Sequence, residues 1–350
     1  MNSEIVNPGL YLYGFVSNQY DAEQFQKLEN IGVFSIPYQK ISAVVAKSAI
    51  TDYKQLSTGP LAKLLIEHQK RIESVINIGF DTIIPMRFGT FATNTSEVLK
   101  ILAKGYDLIV EILVKVSNLT EIDVAATWSD FGSIISEIAV DPRVMEMKAN
   151  IMKSRANVTQ FDQMAIGSLV KKILDERTAG TAARISGALG AVCLQRKQHE
   201  VMNDEMVFNT AFLLNQSQQD AFEKALDKLD EELNGQVNFK MVGPLPCYSF
   251  YTMEVNELCF GEVYSAQKEL GLEISTSEKG IKQAYLEKAK MFHPDVNQVF
   301  DNKEDFDRIN KAYQVMLDYV RAVKPVSREE QFSLSGEAVN KNSFFLKIRE

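Results

Sequence analysis

The chain has few of the residues that build reactive centres: three cysteines, three histidines and one tryptophan in 350 residues. Cys193, Cys247 and Cys259 include no close pair and no Cys-x-x-Cys. That argues against a disulfide framework or a zinc site and fits a reducing cytoplasm. His68, His199 and the cysteines form no recognisable catalytic constellation along the sequence, although tertiary proximity could create one. An enzyme is not expected, and no cofactor or metal is called for. Apolar runs are broken by polar residues well short of a membrane span, so no membrane partner is expected. The first residues, Met1-Asn2-Ser3-Glu4-Ile5, lack the basic-then-apolar order of a signal peptide. Repeats at fixed period and low-complexity tracts are also lacking.

What is present is an ordinary folded composition, 45% hydrophobic and 24% charged. Acidic residues outnumber basic ones, giving a net charge of −8, which argues against nucleic acid as a non-specific partner. A chain of 350 residues exceeds one ordinary core, so two or three domains are expected.

The stretch at residues 82–91, Thr-Ile-Ile-Pro-Met-Arg-Phe-Gly-Thr-Phe, is apolar and β-branched at its start and lies between two segments of helical period. It reads as a buried strand at the seam of a domain. Pro85 cannot donate to a ladder and belongs at an edge or bulge, and Gly89 permits a bend. Arg87 reads as a structural arginine, either paired or reaching solvent. Before this stretch, strands are expected at 10–16, 33–38 and 41–47, a short helix at 21–30, and a helix opened by Pro60. His68 falls on the buried stripe of that helix and reads as a hydrogen-bonded core or interface histidine. A long helix capped by Ser96 is expected over 96–117.

The second part predicts a strand at 122–128, helices over 145–177 and 181–201, a buried strand at 205–214 and a helix at 218–233. A strand at 237–242, a rigid turn at 243–246 and a last strand at 248–253 follow. Gly187-Ala188-Leu189-Gly190 lacks the Gly-Lys-Ser/Thr ending of a phosphate loop and follows no strand, so it is not one.

Several of these segments carry a family resemblance. Leu10-Tyr11-Leu12-Tyr13-Gly14-Phe15-Val16, the run from Ile84 to Phe91, Phe208-Asn209-Thr210-Ala211-Phe212-Leu213-Leu214 and Gly243-Pro244-Leu245-Pro246-Cys247-Tyr248-Ser249-Phe250 resemble the gas-vesicle GvpF/GvpL family, in order, across about residues 8–255. Cys247 replaces the family's usual second proline. The resemblance implies an α+β fold: two small antiparallel-sheet plus helix domains (ferredoxin-like variants) at 1–120 and 121–258. It also implies a minor gas-vesicle component whose partner is the small amphipathic shell protein GvpA, with other gas vesicle proteins beside it.

The third part carries the one chemical motif. Ile281, Ala284, Tyr285, Ala289 and Phe292 form a helical stripe that stops at His293-Pro294-Asp295, because proline disfavours helical geometry before it and removes a donor. A second amphipathic helix starts near Lys303, with Phe306, Ile309, Tyr313, Met316 and Val320 inward, so the pair forms a hairpin. Leu270-Gly271-Leu272, the His-Pro-Asp tripeptide and Phe306-Asp307-Arg308-Ile309-Asn310-Lys311-Ala312-Tyr313 resemble a DnaJ-type J domain at about 262–322. The fold expected there is an all-α helical hairpin. The resemblance implies docking to a DnaK-type chaperone through His293 and Asp295, with Pro294 fixing the loop. Lys282 and Lys290 remain of a helix that is normally strongly basic. Leu286, Glu287 and Met291 stand where Lys or Arg is frequent, and Lys288 takes a normally apolar place. The tail from 323 ends in Ser343-Phe344-Phe345-Leu346-Lys347-Ile348 and is expected to dock on the chain's own body or on a partner.

Two functions follow. One is a gas-vesicle assembly or minor structural protein that binds GvpA, preventing its aggregation or aiding nucleation, with a J domain that recruits a chaperone. The other is a general J-domain co-chaperone whose first two domains form a client-binding platform.

Overall fold

The computed structural model describes residues 8–154, 158–292, 303–323, 331–342 and 344–349. It divides into two compact units, Met1–Ser117 with Tyr251–Glu350 and Asn118–Phe250.

The first unit opens with β1 (Pro8–Ser17), α1 (Ala22–Asn30), β2 (Phe34–Tyr38), β3 (Ile41–Ala49), α2 (Thr58–Asn77), β4 (Ile84–Pro85), β5 (Phe91–Ala92) and α3 (Thr95–Val116). The sheet order is β2-β3-β1-β4, antiparallel throughout, with β5 also paired to β1. Two strands separated by one antiparallel neighbour, with a fourth added beyond, is the split β-α-β topology of ferredoxin-like folds. β1 lies at its centre because Leu12, Phe15 and Val16 are fully buried.

The expected strand at 82–91 is broken in two. Pro85 ends β4, and Gly89 at φ +81° turns the chain outward before Phe91 and Ala92 rejoin β1 opposite Tyr11 and Leu10. α3 is capped by Asn94, not Ser96. The Asn94 side chain accepts from the Glu97 amide (3.1 Å), and the Glu97 carboxylate reaches back to the Thr93 amide (2.7 Å).

The second unit holds β6 (Leu119–Trp128), α4 (Phe131–Ala139), α5 (Pro142–Ser154), α6 (Gln160–Gly190), β7 (Gln195–Gln198), β8 (Met206–Asn215), α7 (Gln219–Leu233) and β9 (Val237–Leu245). The sheet order, β7-β8-β6-β9, repeats the topology of the first unit. Ile122, Val124, Ala126 and Trp128 of β6 alternate into a core with Phe212, Leu214 and the buried stripe Phe222, Leu226, Leu229 and Leu233 of α7.

Four sequence expectations change here. The helices at 145–177 and 181–201 are instead α5 and a single 31-residue α6, which begins in a Thr159–Asp162 capping box and carries Gly180 and Gly187 in its interior. β7 takes the place of the expected helical end, and its side chains, Gln-Arg-Lys-Gln, are those of a solvated edge strand. β9 runs through the expected turn to Leu245. The expected strand at 248–253 is a single helical turn, α8 (Tyr248–Tyr251), before β10 (Met253–Glu257).

The C-terminal part continues with α9 (Phe260–Leu270), β11 (Ser275–Thr276), α10 (Glu278–Phe292), α11 (Lys303–Val323), β12 (Phe332–Ser333), α12 (Gly336–Lys341) and β13 (Phe344–Ile348). The expected hairpin is α10 with α11, and α9 joins it around Val263, Leu270, Ile281, Ile309, Met316, Tyr319 and Val320. The tail does dock on the body. β13 pairs with β10 from Met253↔Ile348 to Glu257↔Phe344, while β12 pairs with β11. Residues 251–258 group with the first unit.

Candidate functional site

The chemistry-bearing motif follows α10 in the sequence. Tyr285 stacks on Tyr313 with ring centroids 4.1 Å apart, and its hydroxyl donates to Asn310 Oδ1 at 2.8 Å. One ring pair and one hydrogen bond thus fix the helix that leads to His293 against α11. His293, Pro294 and Asp295 lie outside the described residues. Lys282 and Lys290 are exposed on α10 and make no ion pair among the described residues. Eight positions apart, they sit about 12 Å from each other along the helix axis. Between and beside them, Leu286 and Met291 are 47% and 64% exposed, and Glu287 accepts from Gln283 (3.0 Å). This face is consequently a mixed one, with two cations around an apolar and acidic middle.

His68 is 5% exposed and shares a 2.9 Å hydrogen bond with the Tyr11 hydroxyl, which also accepts from the Gly89 amide (3.0 Å). Burial pushes its pKa down to about 4, so it is a neutral core histidine, in agreement with its place on the apolar stripe. Arg87 satisfies both of its readings. Its guanidinium pairs with Glu254 at 3.3 Å while its side chain stays 56% exposed, and its amide donates to the Met253 carbonyl (2.7 Å).

Sequence reasoning missed a polar cluster in the second unit. Glu121 on β6 is 1% exposed and accepts from the Ser249 amide and hydroxyl, and His199 Nε2 lies 3.2 Å from the same hydroxyl oxygen. Burial raises the Glu121 carboxyl to about 8, and the neighbouring Asp123 is also raised by burial. Neutral Glu121 donates to Asp123, so the pair shares one proton. Cys247 is buried beside them, with its thiol pushed up to about 12. The signal in sequence was only the acidic pair at i and i+2 on one strand face, which needs the strand pairing to acquire its partners.

A family model described as gas vesicle synthesis protein GvpL/GvpF matches residues 9–252. The chain belongs to this family. A DnaJ-domain model matches residues 266–322, so a J domain follows the family region. Gas vesicle protein F of Microcystis aeruginosa is 23% identical over 244 residues, covering 69% of this chain and 97% of that protein. Its counterpart in Nostoc is 22% identical over 247 residues, 70% of this chain and 98% of that protein. The chaperone protein DnaJ of an Exiguobacterium strain is 45% identical over 49 residues, 14% of this chain and 13% of that protein. The crystal structure of GvpF from Anabaena superposes with a TM-score of 0.55 at 19% identity, over 69% of this chain and 95% of that one. The structure of GvpF from Microcystis aeruginosa gives 0.53 at 21%, over 69% and 98%. The two ferredoxin-like units are therefore the GvpF fold. Beyond them this chain carries a co-chaperone type of domain. Among the described residues, no helix is long and apolar enough to cross a membrane.

Proposed function

We propose that this protein acts in gas vesicle assembly as a non-enzymatic, minor vesicle component that binds GvpA and keeps it from aggregating. Its J domain recruits a DnaK-type ATPase to that bound subunit. The observation that carries the reading is the presence in one chain of the GvpL/GvpF region at 9–252 and the DnaJ domain at 266–322. The exposed Lys282 and Lys290 on the helix that leads to His293 support the docking half of it, since surface cations steer an acidic partner. The test is steady-state ATP hydrolysis by the DnaK-type chaperone of the same cell, with the intact protein and with His293→Gln. Stimulation by the first and none by the second is expected; equal rates would remove chaperone recruitment. A pull-down on GvpA tests the other half, and recovery at background level would count against it.

Exposed apolar side chains on α6, Phe161 at 77% and Met164 at 66%, favour a second reading as a general co-chaperone with a client-binding platform. That reading expects unrelated unfolded chains to be held as well as GvpA.

A further inference from the structure

The solvent side of α6 is ordered from end to end. It begins with large apolar side chains, Phe161 and Met164, and finishes with small ones, Ala179, Ala183 and Gly187, all exposed and repeating at the spacing of one helix face. Between them stand two adjacent lysines, Lys171 and Lys172, and one turn further on two adjacent acids, Asp175 and Glu176, also exposed. Contacts within the chain do not account for the small end. A methyl group added at Gly187 would meet nothing within 4 Å, although glycine inside a helix weakens it.

Turned end for end about a point between Ile173 and Leu174, this face matches itself. Phe161 comes level with Ser186 and Gly187, Met164 with Ala183, and Ser168 with Ala179, so large side chains meet small ones. The lysine pair comes level with the acid pair. A parallel copy in register would set lysine on lysine and Phe161 on Phe161. The argument is one of order, not of net charge. Of the other charges in the span, Asp162 closes the capping box, Arg177 pairs with Glu137 at 2.6 Å, and Arg184 is a further exposed cation level with Gln163. Within the chain Lys171 is shared by Asp175 and Asp204 and Glu176 is held by Arg143, while Lys172 makes no ion pair among the described residues. Those pairs are exposed, so they exchange partners at little cost.

We propose that α6 pairs antiparallel with α6 of a second copy of this chain, closing a two-fold dimer in which each copy offers the same face. The proposal stands independently of the gas-vesicle reading, and it covers the apolar side chains that a client platform would leave open. The test measures the mass of the full-length protein by light scattering at about 100 μM, where even a weak interface is populated. The native chain is expected to double its mass. Lys171→Glu/Lys172→Glu and Asp175→Lys/Glu176→Lys should each weaken the dimer at least about tenfold, because like charges then face each other at its centre. An equimolar mixture of the two variants should recover the doubled mass, since the acidic stretch of one chain meets the basic stretch of the other. That recovery also shows that both variants are folded. In a Cys259→Ser background, Met164→Cys with Ala183→Cys should cross-link two chains on oxidation. Met164→Cys alone should not, because its two copies would lie about 28 Å apart. A native chain that stays monomeric, a mixture that stays monomeric, charge variants that dimerise as well as the native chain, or cross-linking through Met164→Cys alone would each overturn the proposal.

Discussion

Ser249 gives both of its donors to Glu121: its amide lies 2.8 Å from one carboxylate oxygen and its hydroxyl 2.8 Å from the other. Three chain segments meet there, because Glu121 is on β6, Ser249 on α8, and His199 just after β7. One buried carboxyl group therefore ties the end of β9 and the turn that follows it to the central strand of the second unit. The arrangement is stable only while the group stays neutral, since an ionised carboxylate at 1% exposure beside Asp123 is both desolvated and repelled.

The expected consequence is a second unit that weakens progressively as pH rises from about 4.5 to about 8. Burial raises the Glu121 carboxyl from 4.5 unfolded to about 8 folded, so the folded state holds the proton that the unfolded state releases. Stability is then complete below the unfolded value and falls as pH rises to about 8. Glu121→Gln keeps an acceptor for one of the two Ser249 donors and cannot ionise, and should flatten that decline. The single tryptophan, Trp128, is buried in this unit, so urea midpoints followed by its fluorescence report the right transition. An unchanged pH slope in the variant would show that Glu121 is not the group responsible.

The first unit should respond with the opposite sign. His68 is held neutral, down from 6.5 to about 4, so its contribution is present above the unfolded value and is lost as pH falls through the folded one. His68→Phe should remove this acid sensitivity, at a cost of about 1 kcal/mol for the hydrogen bond with Tyr11. Amide exchange of β1 between pH 7 and 4 checks it; protection lost equally in both proteins would exclude His68 as the cause.

Gly14 marks a close approach that the sequence alone cannot reveal. A methyl group there would run into the Ile84 carbonyl oxygen and the Ile83 side chain, because β4 crosses directly over that point of β1. Backbone cannot give way as a flexible side chain would, so Gly14→Ala should cost about 1–3 kcal/mol. Thermal unfolding of the first unit measures it, and a neutral substitution would mean that β4 is loosely held.

The local elements were largely legible because their periodicities are clean: β1, β3, β8 and α7 appear where alternation or helical stripes place them. The failures share a physical cause. Residues 82–91 look like one strand, yet Pro85 and Gly89 divide it, and the true partners of Met86 and Arg87 lie at Met253 and Glu254, remote in sequence. β7 was missed because a polar edge strand has no apolar alternation to read. The equivalence of the two units was hidden by their first crossovers, which are one short helix in the first and α4, α5 and α6 in the second. The J-domain hairpin was legible from the Ile281–Phe292 stripe and its proline stop. The Glu121 cluster was not, since Ser249 and His199 reach it only through folding.

The docked tail yields the last expectation. β13 was a run of Phe344, Phe345, Leu346 and Ile348 without an assigned neighbour, and it now forms the partner strand of β10. Phe345 and Leu346 are 2% and 6% exposed, and Leu346 packs where Gly105 leaves α3 without a side chain. Lys104 strengthens the contact by donating to the Phe344 carbonyl (3.1 Å) and lying 4.3 Å over the Phe344 ring, and burial brings its pKa down to about 8. An aspartate at position 346 would place a charge in that contact, so Leu346→Asp should release β13 at a cost of about 3–5 kcal/mol. Hydrogen exchange should then accelerate in Met253–Glu257, which lose their ladder partner, while β6 and β8 of the second unit keep their protection. Because β10 and β13 flank the J domain in the chain, the same variant tests what the ribbon is for. If the ladder opens while stimulation of the chaperone ATPase is retained, the J domain works without the ribbon; if stimulation falls with it, the ribbon holds the J domain in its working position.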